Sequence, residues 1–150
     1  MYHAIVRSKL RQTFGRLNAR DYDAVVAIFA AAHEHSFPGS HALGGTRRTL
    51  ESTRRWYDRL ARVLPNVQFE ITRIAVSGWP WHTTAAVEWS DRGTTADGES
   101  FANQGVHVVT LRWGRVVRLA IYCDTAVLEQ VCRRQVSCGI AEAGAPPIEG

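Results

Sequence analysis

The sequence predicts an α+β fold in which three helices from the first half of the chain pack on one face of an antiparallel sheet from the second half. Apolar residues recur at helical spacing up to residue 64, and from residue 67 the spacing becomes that of strands. The strand-like runs are joined by short connections, which predicts an antiparallel meander. The length of 150 residues matches one domain, which we place at residues 1–138, with residues 139–150 expected to be a flexible tail.

The first two predicted helices follow each other closely. Residues 4–19 form an amphipathic helix, because their apolar positions share one face. Asp21 is placed to cap a second helix, whose apolar stripe extends from Tyr22 to Ala32. The apolar stripe of the first helix consists of Val6, Leu10, Phe14 and Leu17.

The third predicted helix follows a segment rich in turn-forming residues. Residues 33–45 contain Pro38 and three glycines and read as a loop, with room for a short strand at residues 35–37. Thr46 can cap the next helix, which has apolar positions from Leu50 to Leu64 and ends before a proline.

Four β-rich runs and a final helix complete the chain. The runs are VQFEITRIAV, HTTAAVEWSD, SFANQGVHVVTLR and RVVRLAIYCD, with glycines and a proline in their connections. Asp124 is placed to cap the last helix, TAVLEQVCRRQV. Curling the sheet around the third helix produces a cone, and its open end forms a mostly apolar pocket.

Composition excludes several classes of protein. The net charge of +4 comes from dispersed arginines, and a nucleic-acid site would need a basic stripe with interleaved aromatics. Three cysteines without a CxxC pair predict reduced thiols. The sequence has no run of 18 apolar residues and no signal-peptide pattern at its start. We therefore expect a cytoplasmic protein without nucleic-acid or membrane partners.

Five segments of the second half of the chain have distinctive residue patterns: Val87–Trp89, Ala96–Glu99, Asn103–Val109, Leu111–Val117 and Tyr122–Thr125. They resemble the SnoaL-like branch of the nuclear transport factor 2-like (NTF2-like) superfamily, most specifically within residues 97–125. The resemblance implies a cone-shaped NTF2-like fold, a small apolar ligand and a homodimer formed through the outer face of the sheet. The superfamily includes ketosteroid isomerases, polyketide cyclases, limonene-epoxide hydrolases, dehydratases and pocketed proteins without a known reaction.

The residues that define the isomerases of this superfamily are mostly replaced. Thr13 or Phe14 stands where the resemblance implies a tyrosine on the first helix. Phe37 stands at the general-base aspartate, and His107 lies near the protonated acid of the third strand. An isomerase needs a base and an oxyanion donor in one apolar site, so this reaction is not the expected one.

The residues of the epoxide hydrolases are also incomplete. Asp91 matches the aspartate of their Arg-x-Asp pair, whereas Trp89 stands in place of the arginine. Their aspartate on the last strand falls on Ile121. The resemblance then leaves a cyclase type of reaction, in which an Asp or His removes a proton next to a carbonyl group.

Three residues are candidates for acid–base catalysis, and each has a structural alternative. His107 shares strand parity with Asn103 and Val109, so we expect its side chain to point inward. It could act there as a general acid or base, or it could be a core histidine bonded to a backbone carbonyl. Asp91 could assist it or belong to a turn. Asp124 could also assist, but helix capping explains it and its strand parity argues against an inward carboxylate. The predicted pocket lining is Phe14, Tyr57, Trp89, Phe101, Asn103 and Ile121.

A cluster of histidines in the predicted loop has the residue types of a metal site but not its spacing. His33, Glu34, His35 and His41 lack the HExxH pattern that places two ligands on one helix face. We expect no metal and no cofactor.

Two functions remain open at this stage. The first is a cofactor-independent enzyme of SnoaL-like type acting on an apolar substrate. The second is a non-catalytic module for ligand binding or dimerisation. Two titratable groups within hydrogen-bond reach of the cavity would favour the enzyme, and an entirely apolar cavity would favour binding.

Overall fold

The computed structural model describes residues 1–150 and contains four α-helices. They are α1 (Tyr2–Asn18), α2 (Tyr22–Val26), α3 (Leu50–Val63) and α4 (Thr125–Ser137), followed by a 3-10 turn at Ala141–Gly144. Helix α1 uses the predicted apolar stripe, since Val6, Leu10, Phe14 and Leu17 are all buried. Asp21 accepts a hydrogen bond from the amide of Ala24 and caps α2, as predicted. None of the helices is long and apolar enough to cross a membrane.

Six strands form one sheet. They are β1 (Phe29–Phe37), β2 (Gly45–Arg47), β3 (Gln68–Trp79), β4 (His82–Thr94), β5 (Ser100–Arg112) and β6 (Arg115–Cys123). Their order in the sheet is β2-β1-β6-β5-β4-β3. The predicted meander is confirmed, because β3 to β6 pair in sequence and antiparallel. Strand β1 adds to β6 in the parallel direction, and β2 pairs with β1 antiparallel.

The segment between the second and third predicted helices is the main correction. The prediction of a second helix up to Ala32 is wrong, because α2 ends at Val26 and strand β1 begins at Phe29. Phe29 and Phe37 at its two ends are buried, and its backbone pairs with β6. Strand pairing over a long sequence distance thus overrides the helical preference of three consecutive alanines.

The third helix begins later than predicted. Thr46 lies in β2, and the cap is Thr49, whose side chain accepts a hydrogen bond from the amide of Ser52. The Ser52 side chain accepts one in return from the amide of Thr49, so the two residues form a capping box.

The sheet curls around the helices without closing, with β2 and β3 at its two edges, as expected of the cone-shaped α+β fold that the resemblance implies. Register shifts interrupt the pairing of β1 with β6, of β3 with β4 and of β5 with β6, and such irregularities bend strands. One core of 27 buried residues joins α1 and α3 to the concave face of the sheet. Its central members include Phe14, Tyr57, Val63, Val87 and Ile121.

The C-terminal residues pack against the domain, which differs from the flexible tail suggested by the sequence. Ile148 is buried, and its carbonyl accepts a hydrogen bond of 2.8 Å from Nη1 of Arg47. The guanidinium of Arg47 is fully buried and also donates to the carbonyl of Gly44 and to Nδ1 of His35. A buried guanidinium needs such acceptors, and the tail supplies one of them.

We expect Ile148→Ala to lower the free energy of unfolding by about 2–4 kcal/mol, because it removes a buried side chain. The control Val136→Ala, at a position that is 43% exposed, should have a clearly smaller effect, of less than about 1 kcal/mol. Urea denaturation measures both. Equal, negligible effects of the two changes would show that the tail does not pack.

Candidate functional site

A narrow cavity lies between the concave face of the sheet and helices α1, α3 and α4. Twelve of its 15 lining residues are hydrophobic, and its volume is about 40 Å³. This volume holds a few water molecules, whereas pockets for organic ligands are typically about 300–1,000 Å³. Side chains therefore fill most of the space in which the sequence predicts a ligand pocket. The lining consists of Leu17, Phe37, Leu43, Trp56, Tyr57, Leu60, Leu64, Phe69, Trp89, Asp91, Asn103, His107, Ile121, Cys123 and Leu128.

The structure brings most of the predicted site residues to this cavity. His107 and Asp91 both line it, as do four of the six predicted wall residues: Tyr57, Trp89, Asn103 and Ile121. A wider groove of about 480 Å³ on the outer surface, between α4 and the 3-10 turn, contains none of the predicted site residues.

Three predicted residues lie elsewhere. Phe14 packs edge-on against the ring of His107, with 5.1 Å between ring centroids, from behind the cavity wall. Phe101 lines a separate surface groove next to α4. Asp124 caps α4 by accepting hydrogen bonds from the amides of Ala126 and Val127. Asp124 therefore has the helix-capping position that was the structural alternative to catalysis, and its carboxylate does not line the cavity.

His107 is held as a neutral imidazole. The indole Nε1 of Trp89 donates a hydrogen bond of 2.7 Å to Nδ1 of His107, which places the imidazole proton on Nε2. Burial lowers the pKa of His107 to about 3, since the charged form would lose its hydration. At neutral pH the ring is thus a hydrogen-bond donor through Nε2 rather than a cationic acid.

Gly105 allows the indole of Trp89 to reach this position. The two residues are paired across β4 and β5. A Cβ atom on Gly105 would lie 2.7 Å from Cζ2 of Trp89 and 2.2 Å from the carbonyl oxygen of Tyr122. A side chain at residue 105 would collide with both groups. Glycine at this position therefore leaves the room that the indole of Trp89 needs to reach His107.

Asp91 is the acidic group of the cavity. Its Oδ1 is buried and has no hydrogen-bond partner. Burial raises the pKa of Asp91 to about 6, and a hydrogen bond from the Asn103 backbone opposes this shift only in part. A carboxyl group with such a pKa can both accept and release a proton near neutral pH.

Two further side chains contribute polar atoms to the lining. Burial raises the pKa of Tyr57 above its ordinary value, so its hydroxyl stays protonated at neutral pH. Burial also raises the pKa of the Cys123 thiol to about 11, and the nearby carboxylate of Asp91 adds to the shift. Cys123 is therefore a thiol and not a thiolate nucleophile. The place of Cys123 in the wall is not among the predicted lining residues, although its strand parity is that of Ile121.

The histidines of the predicted loop are separately engaged. His33 bonds to the hydroxyl of Thr53, His35 accepts from Arg47, and His41 bonds to the carbonyl of Pro38. No group of three or more His, Cys, Asp or Glu side chains is arranged to hold a metal ion.

Sequence comparison identifies the family. Residues 10–119 match the profile of the SnoaL-like domain. The chain belongs to the SnoaL-like family. The match includes α3, β1 to β5 and therefore Tyr57, Trp89, Asp91 and His107 of the cavity. No curated protein matches this SnoaL-like domain in sequence.

Solved structures confirm the fold of this SnoaL-like domain. An NTF2-like protein of unknown function from Burkholderia pseudomallei is 21% identical with a TM-score of 0.75, over 83% of this chain and 95% of that one. TerC, co-crystallised with polyporic acid, is 18% identical with a TM-score of 0.67, over 79% and 91%. AclR from Streptomyces galilaeus, a putative hydroxylase, is 11% identical with a TM-score of 0.66, over 93% and 86%.

We expect Asp91→Asn to stabilise the protein increasingly as pH rises. Asn matches the protonated carboxyl in shape and stays neutral. The folded-state pKa of Asp91 lies above its ordinary value of 3.8, so the folded wild type binds more protons and loses stability as pH rises from about 4 to 6. The variant avoids this loss, which is on the order of 2 kcal/mol at about pH 8 after allowance for partial exposure.

Urea denaturation at about pH 4 and about pH 8 measures the difference between variant and wild type. Glu70→Gln, at an exposed position of β3, is the control and should show a difference that hardly changes with pH. If the Asp91→Asn difference is equally constant, the carboxyl group of Asp91 has an ordinary pKa.

Proposed function

We propose that this SnoaL-like domain is a cofactor-independent enzyme that transfers a proton on an apolar small molecule with a polar oxygen, such as a carbonyl compound. One observation supports this proposal above the others. Asp91 presents a buried oxygen without a partner in a mostly apolar cavity, and its pKa is about 6. General bases work best when their pKa lies near the pH at which they act.

The roles of the two predicted catalytic residues are then distinct. Ionised Asp91 removes a proton next to the carbonyl group of the substrate. The negative charge that develops on the carbonyl oxygen needs a hydrogen-bond donor, and Nε2–H of neutral His107 can supply it. A neutral imidazole is suited to this role because it donates without first losing a positive charge. The hydroxyl of Tyr57 is a second candidate donor on the helical wall.

Apolar and aromatic side chains would orient the substrate. Phe69 packs edge-on against Trp89 at 5.0 Å between ring centroids, and Trp56 packs edge-on against Tyr57 at 4.9 Å. An organic ligand exceeds the present volume of about 40 Å³, so binding requires some of these rings to change rotamer. TerC with its polyporic acid and AclR as a putative hydroxylase are consistent with a small-molecule role.

A second candidate function is ligand binding without catalysis. Twelve hydrophobic residues in the wall favour it, since they can hold an apolar molecule by burial alone. In that case the partner-free oxygen of Asp91 would bond to a hydroxyl group of the ligand. The homodimer through the outer face of the sheet stays a prediction.

Turnover in matched variants separates the two functions. Apolar carbonyl compounds, polyketide-like aromatics, steroids and terpene epoxides are first screened by thermal shift, and any ligand found is then assayed for turnover. We expect Asp91→Asn to keep binding and to lower kcat by about 100-fold or more. Wild-type kcat/KM should rise with pH and level off above about pH 6, the pKa of the free base.

Glu70→Gln is the control and should retain wild-type turnover. If Asp91→Asn binds the ligand and turns it over within twofold of the wild type, Asp91 is not the base and the catalytic proposal is wrong. If the ligand binds and no variant or wild type turns it over, the binding function is the correct one.

A further inference from the structure

Three exposed tryptophans lie together at the turn end of the sheet. Trp79 and Trp81 come from the β3–β4 turn and stack at 6.3 Å between ring centroids, and Trp113 from the β5–β6 turn lies 6.5 Å from Trp81. Their exposed fractions are 59%, 58% and 73%. We call them the tryptophan end. An apolar groove of about 330 Å³ extends it from Trp113 along α1 to Ile5, which is 51% exposed.

The backbone holds this aromatic surface in place. Trp113 and Gly114 both have positive φ, +51° and +79°, in the two-residue turn between β5 and β6. Such turns favour Asn, Asp or Gly at the first of these positions, and a tryptophan there is unfavourable for the turn itself. The amide of Trp113 donates to the carbonyl of Pro80 at 2.7 Å, which ties the two turns together. A large exposed aromatic at a strained, anchored position indicates a contact with something outside the chain.

The segments around the tryptophan end carry an excess of positive charge. Residues 1–12, 74–87 and 108–117, which supply the three tryptophans and all of the groove except Thr13 and Ile28, contain no Asp or Glu. They contain five basic residues: Arg7, Lys9, Arg11, Arg112 and Arg115. The whole chain has a net charge of +4, so these segments supply more than its entire positive excess. Lys9 lines the apolar groove itself.

We propose that the tryptophan end docks on the surface of lipid bilayers that contain anionic phospholipids, in contrast to the expectation of no membrane partner that composition alone suggests. Indole rings favour the boundary between headgroups and acyl chains, where their apolar body and polar N–H are both satisfied. Basic side chains beside them are attracted by anionic headgroups. A second copy of the chain is a poorer occupant, because a two-fold contact through this end would bring Lys9 of the groove and Arg112 beside Trp113 close to the same residues of the other copy.

Docking in this way leaves the cavity free. The tryptophan end lies at the β3–β4 and β5–β6 turns, whereas Asp91 and Asn103 face each other near the opposite ends of β4 and β5. The docking surface therefore does not depend on the proposed function. An apolar ligand dissolved in the bilayer would be concentrated near a protein held there.

Flotation with vesicles tests the proposal. The full chain is mixed with vesicles of phosphatidylcholine alone or of phosphatidylcholine with phosphatidylglycerol. We expect binding only to the second kind, weakened when salt is raised from about 0.1 M to about 1 M. Trp81→Ser with Trp113→Ser, and separately Lys9→Gln with Arg112→Gln, should each lower the partition coefficient by at least about tenfold.

Two control proteins complete the design. Arg55→Gln with Arg92→Gln removes two exposed charges from other parts of the surface and should bind within about twofold of the wild type, as should Asp91→Asn. The proposal is overturned if phosphatidylglycerol vesicles do not bind, or if the Arg55 and Arg92 changes weaken binding as much as the Lys9 and Arg112 changes. It is equally overturned if the wild type binds duplex DNA but not vesicles, or if the tryptophan changes alter only the oligomeric mass.

Discussion

The removal of water from the concave side of the sheet is the constraint on which the rest of the site depends. Helices α1 and α3 cover this face and bury Phe14, Tyr57 and Val87 together. In this environment a charge loses its hydration, so His107 remains neutral and Asp91 holds its proton to a higher pH than an ordinary aspartate. Packing that stabilises the fold thus also determines which protonation states the cavity offers.

Most of the fold could be predicted from the sequence, because most of its elements are stabilised by neighbours in the chain. The meander from β3 to β6 follows from alternating residues and short turns, and α1 follows from its apolar stripe. Strand β1 could not be predicted in this way. Its partner β6 begins 86 residues after the start of β1, and a local pattern of small residues contains no information on so distant a pairing.

The sequence predicts which residues line the candidate site better than it predicts their chemical roles. Strand parity was enough to point His107 inward, and the cavity also contains Asp91, Trp89 and Asn103. The division of roles could not be read from residue types, because it depends on where hydrogen bonds end. The indole of Trp89 occupies Nδ1 of His107, whereas an oxygen of Asp91 has no partner. For this reason the proposed function assigns the role of base to Asp91 rather than to His107.

The ionisation of Asp91 is the central claim of this account, and NMR titration of its side-chain carboxyl carbon measures it directly. Selective ¹³C labelling of aspartate, with Asp91→Asn to assign the resonance, gives the pKa in the folded protein without a ligand. The structure predicts a midpoint of about 6. A midpoint near the ordinary value of 3.8 would show that water reaches the carboxyl group freely, and it would contradict the proposed role of Asp91 as the base.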